Sequence, residues 1–516
     1  PNAAATVPTA GFSASVGMTT DAESAATSPA TVTTEMYGAA NLPVAAMPVA
    51  ASEASTAADS FDPRPVGDAV AAANIDDVSD LWTSSTATNQ AYSGAFAPTG
   101  ATWLTGWSYL DCVQGTLAAG TCSTDPNTAT GLPFGTSTAG FVAHTGDITS
   151  DETWAYDNGN TVHVLTGQTF VKSGATLTIE AGVTVYAYKI AAGFDAAVAL
   201  PSGVCSATSC TTANSCIYIA ADVCKPFTTV LVVESNAQIV AAGTASLPIT
   251  FTANEAAANL ASSETTVTDS STGAIVTHGT RGNWGGLIIL GEAPVKGGSA
   301  FIEGLAHNVA YGGGDAADSS GTLQYVRVWH GGSAIAADNE INGITFGGVG
   351  SGTTLDHCEV ALNVDDGFEF FGGTINGKYL SALFVGDDAF DTDTGYQGEL
   401  VNIFAMLGKA GNHACEMDGK HASTPYSAPQ VYGATFVHSY DNVQASEMMK
   451  LHENTGGKFA NILIISKPGT NGIIRTDCSS STSSTCLAMV QATTTGTAAT
   501  AELFVSAKTI VYDTAL

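Results

Sequence analysis

Basic side chains are scarce in this chain. Fifteen lysines and arginines face 47 aspartates and glutamates, a net charge of −32 over 516 residues. That balance disfavours nucleic acid and anionic membranes and leaves divalent cations and neutral glycans as partners. Charge of either sign is thin, at 12% of residues, about half the usual share. The bulk is Ala, Thr, Ser, Gly and Val, which suits a β-rich protein working outside the cell. No apolar run approaches the roughly 18 residues of a membrane span. The first residue is Pro1 rather than Met, consistent with a removed signal peptide. G-x-S-x-G, P-loop and H-E-x-x-H motifs are also missing, so the chemistries they signal have no foothold. No two histidines stand four apart, and His357, His413 and His452 read as surface or capping residues. The arginines, Arg64, Arg281, Arg327 and Arg475, are scattered and make no basic groove for an acidic polysaccharide.

Ten cysteines are present. Cys112 and Cys122 flank one short loop, Cys478 and Cys486 another, and Cys205, Cys210, Cys216 and Cys224 crowd a third. Loop-local spacing of this kind predicts disulfides made in an oxidising compartment. A zinc site, the rival for the group of four, lacks a C-x-x-C pair. Cys358 and Cys415 sit in apolar runs and are expected to be buried free thiols.

Residues 1–60 are Ala/Thr/Ser-rich and poor in core-forming groups, an extended segment that orders only against another surface. Residues 61–143 read as an N-terminal cap or donor region. From residue 144 to 516 the chain alternates apolar and polar residues between polar turns. "ATLTIEAGVTVYA" (175–187) and "TVLVVESNAQIVAAG" (229–243) superimpose with Leu177 on Leu231 and Ile179 on Val233. Similar units recur about every 20 to 30 residues, a period that points to stacked coils. The fold predicted is all-β, a right-handed parallel β-helix, with insertions at about 189–228, 255–280 and 478–500.

"NVDDGFEFFGG" (363–373) repeats in register. Asp366-Gly-Phe-Glu369, Asp388-Ala-Phe-Asp391, His413-Ala-Cys-Glu416 and Gln444-Ala-Ser-Glu447 align, with Glu340 starting the column. Alternation aims Phe368, Phe390 and Cys415 inward and the acids outward. Glu340, Glu369, Asp391, Glu416 and Glu447 would then form a ladder of like charges, coils lying about 4.8 Å apart. Such a ladder needs a counter-charge, a raised pKa or a cation. "DDAFDTDTG" resembles half of a calcium loop, so Asp387, Asp388, Asp391 and Asp393, helped by Asp365 and Asp366, form a candidate calcium set. Solvated acids on a turn, or catalytic carboxylates, are the other readings.

"RGNWGGLIILGEAPV" (281–295), "YGGGDAADSSGTLQYVRV" (311–328), "NEINGITFGGVGSGTTLDHCEVALNVDDGFEFFGG" (339–373) and "GDDAFDTDTGYQG" (386–398) resemble a group of secreted bacterial β-helix proteins. The group is common in marine and gliding bacteria and mostly of unknown activity. The resemblance implies export and a cell-surface or extracellular role; it carries over no catalytic residues. "FDPRPVGDAV" (61–70) and "YSGAFAPTGATWLTGWSYLD" (92–111) look like a segment that follows the helix in those relatives, but here they precede it. The chain also stops in what reads as a strand. Both features suggest that residues 1 to about 110 dock on a neighbour's β-helix end, giving a head-to-tail filament or surface layer. A permuted cap on the same chain is the other arrangement. The function expected is therefore a non-enzymatic, self-assembling structural subunit with calcium as candidate ion. The alternative is a carbohydrate-active enzyme, polysaccharide lyase or glycosidase, or a glycan-binding adhesin on the same scaffold.

Overall fold

A computed structural model of the chain describes chiefly residues 90–112, 141–157, 161–187, 228–253, 281–302, 308–333, 341–419, 424–438, 447–453 and 455–466, with residues 62–66 and isolated strands elsewhere. Three strands make the first complete coil, stacked in parallel on Phe141–Ile148 and Glu152–Trp154: β1 (Val162–Val171), β2 (Thr176–Ile179) and β3 (Thr184–Ala187). The second coil repeats them as β4 (Val230–Val233), β5 (Gln238–Ala242) and β6 (Ile249–Ala253), each parallel to its predecessor. β7 (Leu287–Leu290) stacks on β4, and β8 (Gly321–Trp329) spans both β5 and β6.

From there each coil is one short and one long strand. The short ones are β9 (Ile344–Gly347), β11 (Phe368–Phe371), β13 (Phe390–Asp393), β15 (Cys415–Asp418), β17 (Met449–His452) and β19 (Ile474–Thr476). The long ones are β10 (Thr354–Ala361), β12 (Asn376–Leu383), β14 (Glu399–Leu407), β16 (Gln430–His438) and β18 (Gly457–Ser466). Every pairing between successive coils is parallel, which is the topology of a parallel β-helix. The long strands bend midway. Tyr325, His357, Tyr379, Asn402 and Asn461 hold positive φ there, between 48° and 56°, and Gly433 takes the same place at 69°. This column of left-handed residues turns one strand through two faces, so the coil is three-sided.

The repeat alignment shifts by one face. Leu177 pairs with Ile239, and Leu231 with Thr169. All faces share the same apolar alternation around a tight turn, so a one-face slip leaves the pattern intact. The inward side chains form one continuous core from Ile148 to Ile474. Phe368 and Phe390 stack at 5.3 Å, and Phe346 and Phe370 at 5.1 Å. Cys358 and Cys415 are buried free thiols in this core, as expected.

The expected disulfide-stapled scaffold is corrected for the described residues: no complete disulfide lies among them. Cys112 takes part in a bond whose other half lies outside them. Cys122, Cys205, Cys210, Cys478 and Cys486 lie outside the described residues; Cys216 and Cys224 lie in a backbone hairpin, Cys216–Ala220 against Val223–Pro226.

Residues 90–112 do not wait for a neighbour. They run as a strap across the outside of the long strands of the same chain. Gly94 N donates to Asn461 O at 2.9 Å, and Ala95 N to Thr435 Oγ1 at 2.9 Å. Further along, Arg327 Nη1 donates to Trp107 O at 2.8 Å, and Tyr109 N to the buried Glu359 at 2.7 Å. Phe96, Leu104, Tyr109 and Leu110 bury against Trp329, Leu383, Phe384, Phe404, Met406 and Leu463. Trp103 and Trp107 meet the edges of the stacked Tyr325, His357 and Tyr379 column. Two N-terminal strands, Met18–Thr20 and Glu35–Tyr37, also pair within the chain, with β19 and with Ile510–Asp513. The contacts assigned to a second subunit are thus made internally. Among the described residues no helix is long and apolar enough to cross a membrane.

Candidate functional site

The short strands place two rows of polar groups on one outer face. Period-2 alternation turns Thr345, Glu369, Asp391, Glu416 and Lys450 outward, and strand pairing sets them side by side, with Arg475 next. The second row stands in the turn entering each strand, two residues earlier than its first residue: Asn342, Asp366, Asp388, His413 and Glu447. The two rows meet. Ligand-type atoms of Asp366, Glu369 and Asp391 lie within 4.8 Å of one another, and so do those of Asp388, His413 and Glu416.

His413 is the hub. Its Nδ1 faces Asp388 Oδ1 at 2.7 Å and Glu416 Oε2 at 3.2 Å, and its Nε2 faces Glu447 Oε2 at 3.5 Å. Its backbone N also donates to Asp388 Oδ1, at 2.7 Å. Asp388 N donates to Asp366 Oδ1 at 2.9 Å, linking the next coil. Lys450 Nζ pairs with Glu416 Oε1, and Asn342 Nδ2 donates to Glu369 Oε2. On the far side, His452 Nδ1 meets Asp418 Oδ1 at 3.0 Å, forming a further group with Glu416.

Burial and neighbouring charge shift these groups in opposite directions. Burial lifts Asp366, Asp388 and Asp391 well above the ordinary carboxylate range, and the neighbouring acids add to the effect. For Asp391 the largest contributors after burial are Glu369 and Glu416. Glu416 moves the other way: burial raises it, but hydrogen bonds to His413 and Asp388 and the charges of His413 and Lys450 hold it far down. Burial would lower His413, yet Asp388's charge and the bonds to Asp388, Glu416 and Glu447 raise it well above the usual imidazole range. The repulsion of the ladder is therefore met by raised carboxyl pKa values at some members and by cationic partners at others.

The structure distributes the expected site residues unevenly. Glu369, Asp391 and Glu416 stand in register as the ladder required, but Glu447 does not continue it. Met449 pairs with Cys415, so Lys450 takes the ladder position and Glu447 falls three residues back beside His413. Glu340 lies outside the described residues. Of the calcium set, Asp365, Asp366 and Asp387 come together, Asp366 also reaches Asp391, and Asp388 turns to His413. Asp393 joins none of these groups among the described residues; its Oδ1 accepts from Thr394 N. Asp391 and Asp393 belong to strand β13 rather than to a wrapping loop. His413, expected at the surface, is 5% exposed and central. Its H-A-C-E match to D-A-F-D was the signal that could have placed it. Lys450, Asn342 and Asp418 went unassigned, and His452 was read as a surface or capping residue, because their partners lie one coil away in space but some 25 to 35 residues away in sequence.

Clustered Asp, Glu and His groups of this kind could hold a metal ion. The family model of the pectate-lyase-like beta helix domain matches residues 267–511. No curated protein and no solved structure matches the chain. The expectation that the protein is not an enzyme is corrected by these findings. A structural ladder needs no imidazole in contact with three carboxyls, and the match to the pectate-lyase-like family model together with the clustered acids and histidines accords better with a catalytic protein.

Proposed function

We propose that this protein is a carbohydrate-active enzyme that hydrolyses glycosidic bonds on the outer face of β11, β13 and β15. One observation carries the reading: Asp391 stands in register between Glu369 and Glu416, and its Oδ1 is buried without a hydrogen-bond partner. A buried carboxyl oxygen left unpartnered is costly unless the group keeps its proton or meets a ligand. Asp391 is assigned as general acid, its proton held by burial and by like charge on both sides. Glu416 is engaged by His413 and Lys450, which leaves Glu369, steadied by Asn342, as the carboxylate that attacks or activates water.

Carboxyl atoms of Glu369 and Asp391 within 4.8 Å suit the short separation, about 5–5.5 Å, of enzymes that retain anomeric configuration. The charge of −32 and the acids around the pair favour neutral or amino-sugar polymers over uronates. Lyase action on a uronate is the second reading, favoured by the family match and by Lys450 in the row. It needs a cation to offset the acids, and Asp365, Asp366 and Asp387, an all-oxygen set, are suited to calcium. The test is product analysis on neutral, amino-sugar and uronate polymers, with the anomer followed by NMR. Hydrolytic products of retained configuration, lost in Asp391→Asn and Glu369→Gln, support the assignment. Unsaturated products point to the lyase, and no cleavage of any polymer refutes both.

A further inference from the structure

The His413 hub reaches beyond glycan chemistry. We infer that Asp388, His413 and Glu416 form a mononuclear site for a divalent transition metal, with Glu447 and Lys450 as its supporting shell. Nδ1 of His413 lies 2.7 Å from Asp388 Oδ1 and 3.2 Å from Glu416 Oε2. Metal–ligand bonds of about 2.0–2.2 Å place neighbouring donors about 2.8–3.6 Å apart, so a small displacement of these three atoms frames one ion.

The outer contacts argue for more than a cluster of acids. Metal-bound imidazoles almost always give their second ring N–H to a carboxylate, a backbone carbonyl or a water. Here Nε2 of His413 faces Glu447 Oε2 at 3.5 Å, on the side away from Asp388 and Glu416. Glu416 divides its oxygens likewise: Oε2 faces the hub, and Oε1 is held by Lys450. Asp388 is fixed by its backbone N–H to Asp366 Oδ1 and by the His413 N–H on its own Oδ1. His413, Asp388 and Glu447 are 5%, 4% and 3% exposed, so these groups are held by packing, while the Glu416 side chain is 15% exposed.

One imidazole and two carboxylates suit zinc, manganese or iron better than calcium, which takes oxygen alone. The ion would replace the proton shared among these groups and keep Glu416 engaged; Asp391 and Glu369 are not among its ligands, although its charge would weaken the repulsion that Glu416 and Asp388 exert on Asp391. The inference therefore stands or falls separately from glycan cleavage, because its readouts are of binding.

Untagged full-length protein stripped with a chelator is dialysed against zinc and its metal content measured. Stripped protein is then titrated with copper(II) and read by electron paramagnetic resonance. The expected result is one zinc per chain that excess calcium does not displace, and copper coupled to one imidazole nitrogen. His413→Gln abolishes both, and Glu447→Gln weakens zinc about 10- to 100-fold. Folded wild type that retains no zinc, or zinc retained equally by His413→Gln, overturns the assignment. Should that variant fail to fold, copper on the wild type still decides: a spectrum without nitrogen coupling overturns it.

Discussion

Lys450→Met removes the one lysine in the outward row and leaves a side chain of similar length. Lys450 and Glu416 are 19% and 15% exposed, so their pair is neither a surface bridge nor wholly dry. Coulomb's law at an effective dielectric constant of about 20 gives a gross attraction of ~4 kcal/mol at about 4 Å. Measured losses run from ~0.2–1 kcal/mol for exposed pairs to ~3–5 kcal/mol when a buried pair is broken. A destabilisation of ~2–3 kcal/mol is expected at about pH 8, read as a shift in urea midpoint with unchanged slope. The sign with pH follows from the two groups. Glu416 is held below its ordinary pKa, so its contribution is present above about pH 4.3 and fades as pH falls. Lys450 is raised by Glu416 against the effect of burial, so its contribution persists up to and beyond about pH 10.4. The gap between variant and wild type should therefore be narrower at about pH 3 than at about pH 8, because it closes only as pH falls from about 4.3 towards the much lower folded pKa of Glu416. A penalty equal at both pH values, or one under ~0.5 kcal/mol at the higher, would mean that Lys450 contributes packing alone.

Three further perturbations test the scaffold. A Cβ on Gly386 would lie 1.9 Å from the Val364 carbonyl, whereas one on Gly314 meets nothing within 4 Å. Gly386→Ala should cost ~3 kcal/mol or more and Gly314→Ala under ~0.5 kcal/mol by denaturant melts; equal effects would contradict the stacking. His144, stacked on Trp154 at 4.0 Å, is pushed down to about 4 by burial and by His163. Its folded pKa lies below the unfolded one, so ~3 kcal/mol of stability should be lost as pH falls from about 6.5 to about 4. His144→Phe should flatten that part of the curve, and an unchanged slope would count against it. Trp107→Ala empties a fully buried site over the Tyr325–His357 stack and should cost ~3–5 kcal/mol. Limited proteolysis within residues 90–112 should then accelerate; unchanged protection would remove the strap from the account.

The parts of the molecule written in local pattern were readable beforehand. Phe368, Phe390 and Cys415 point into the coil and Glu369, Asp391 and Glu416 away from it, because alternation alone decides the side. What depended on register was less secure. Gln444-Ala-Ser-Glu447 mimics the repeat, but the pairing of Met449 with Cys415 moves the ladder to Lys450 and replaces an expected repulsion with a counter-charge. "DTDTG" has the letters of a calcium loop in the backbone of a strand. His413 showed no metal spacing because a solenoid assembles its sites across coils rather than along one helix turn. The strap had a signal that went unused. β14 is buried at every position, and a strand covered on both faces requires something outside the coil to cover it.

The central claim is that Asp391 and Glu369 break glycosidic bonds. Wild type, Asp391→Asn and Glu369→Gln, each shown folded by its melting curve, would be incubated with the same polymers and the products weighed by mass spectrometry. The account predicts oligosaccharides carrying one added water per cleavage from wild type and a loss of about 100-fold or more in each variant. Equal product from all three proteins, or none from the wild type on any polymer, would contradict it.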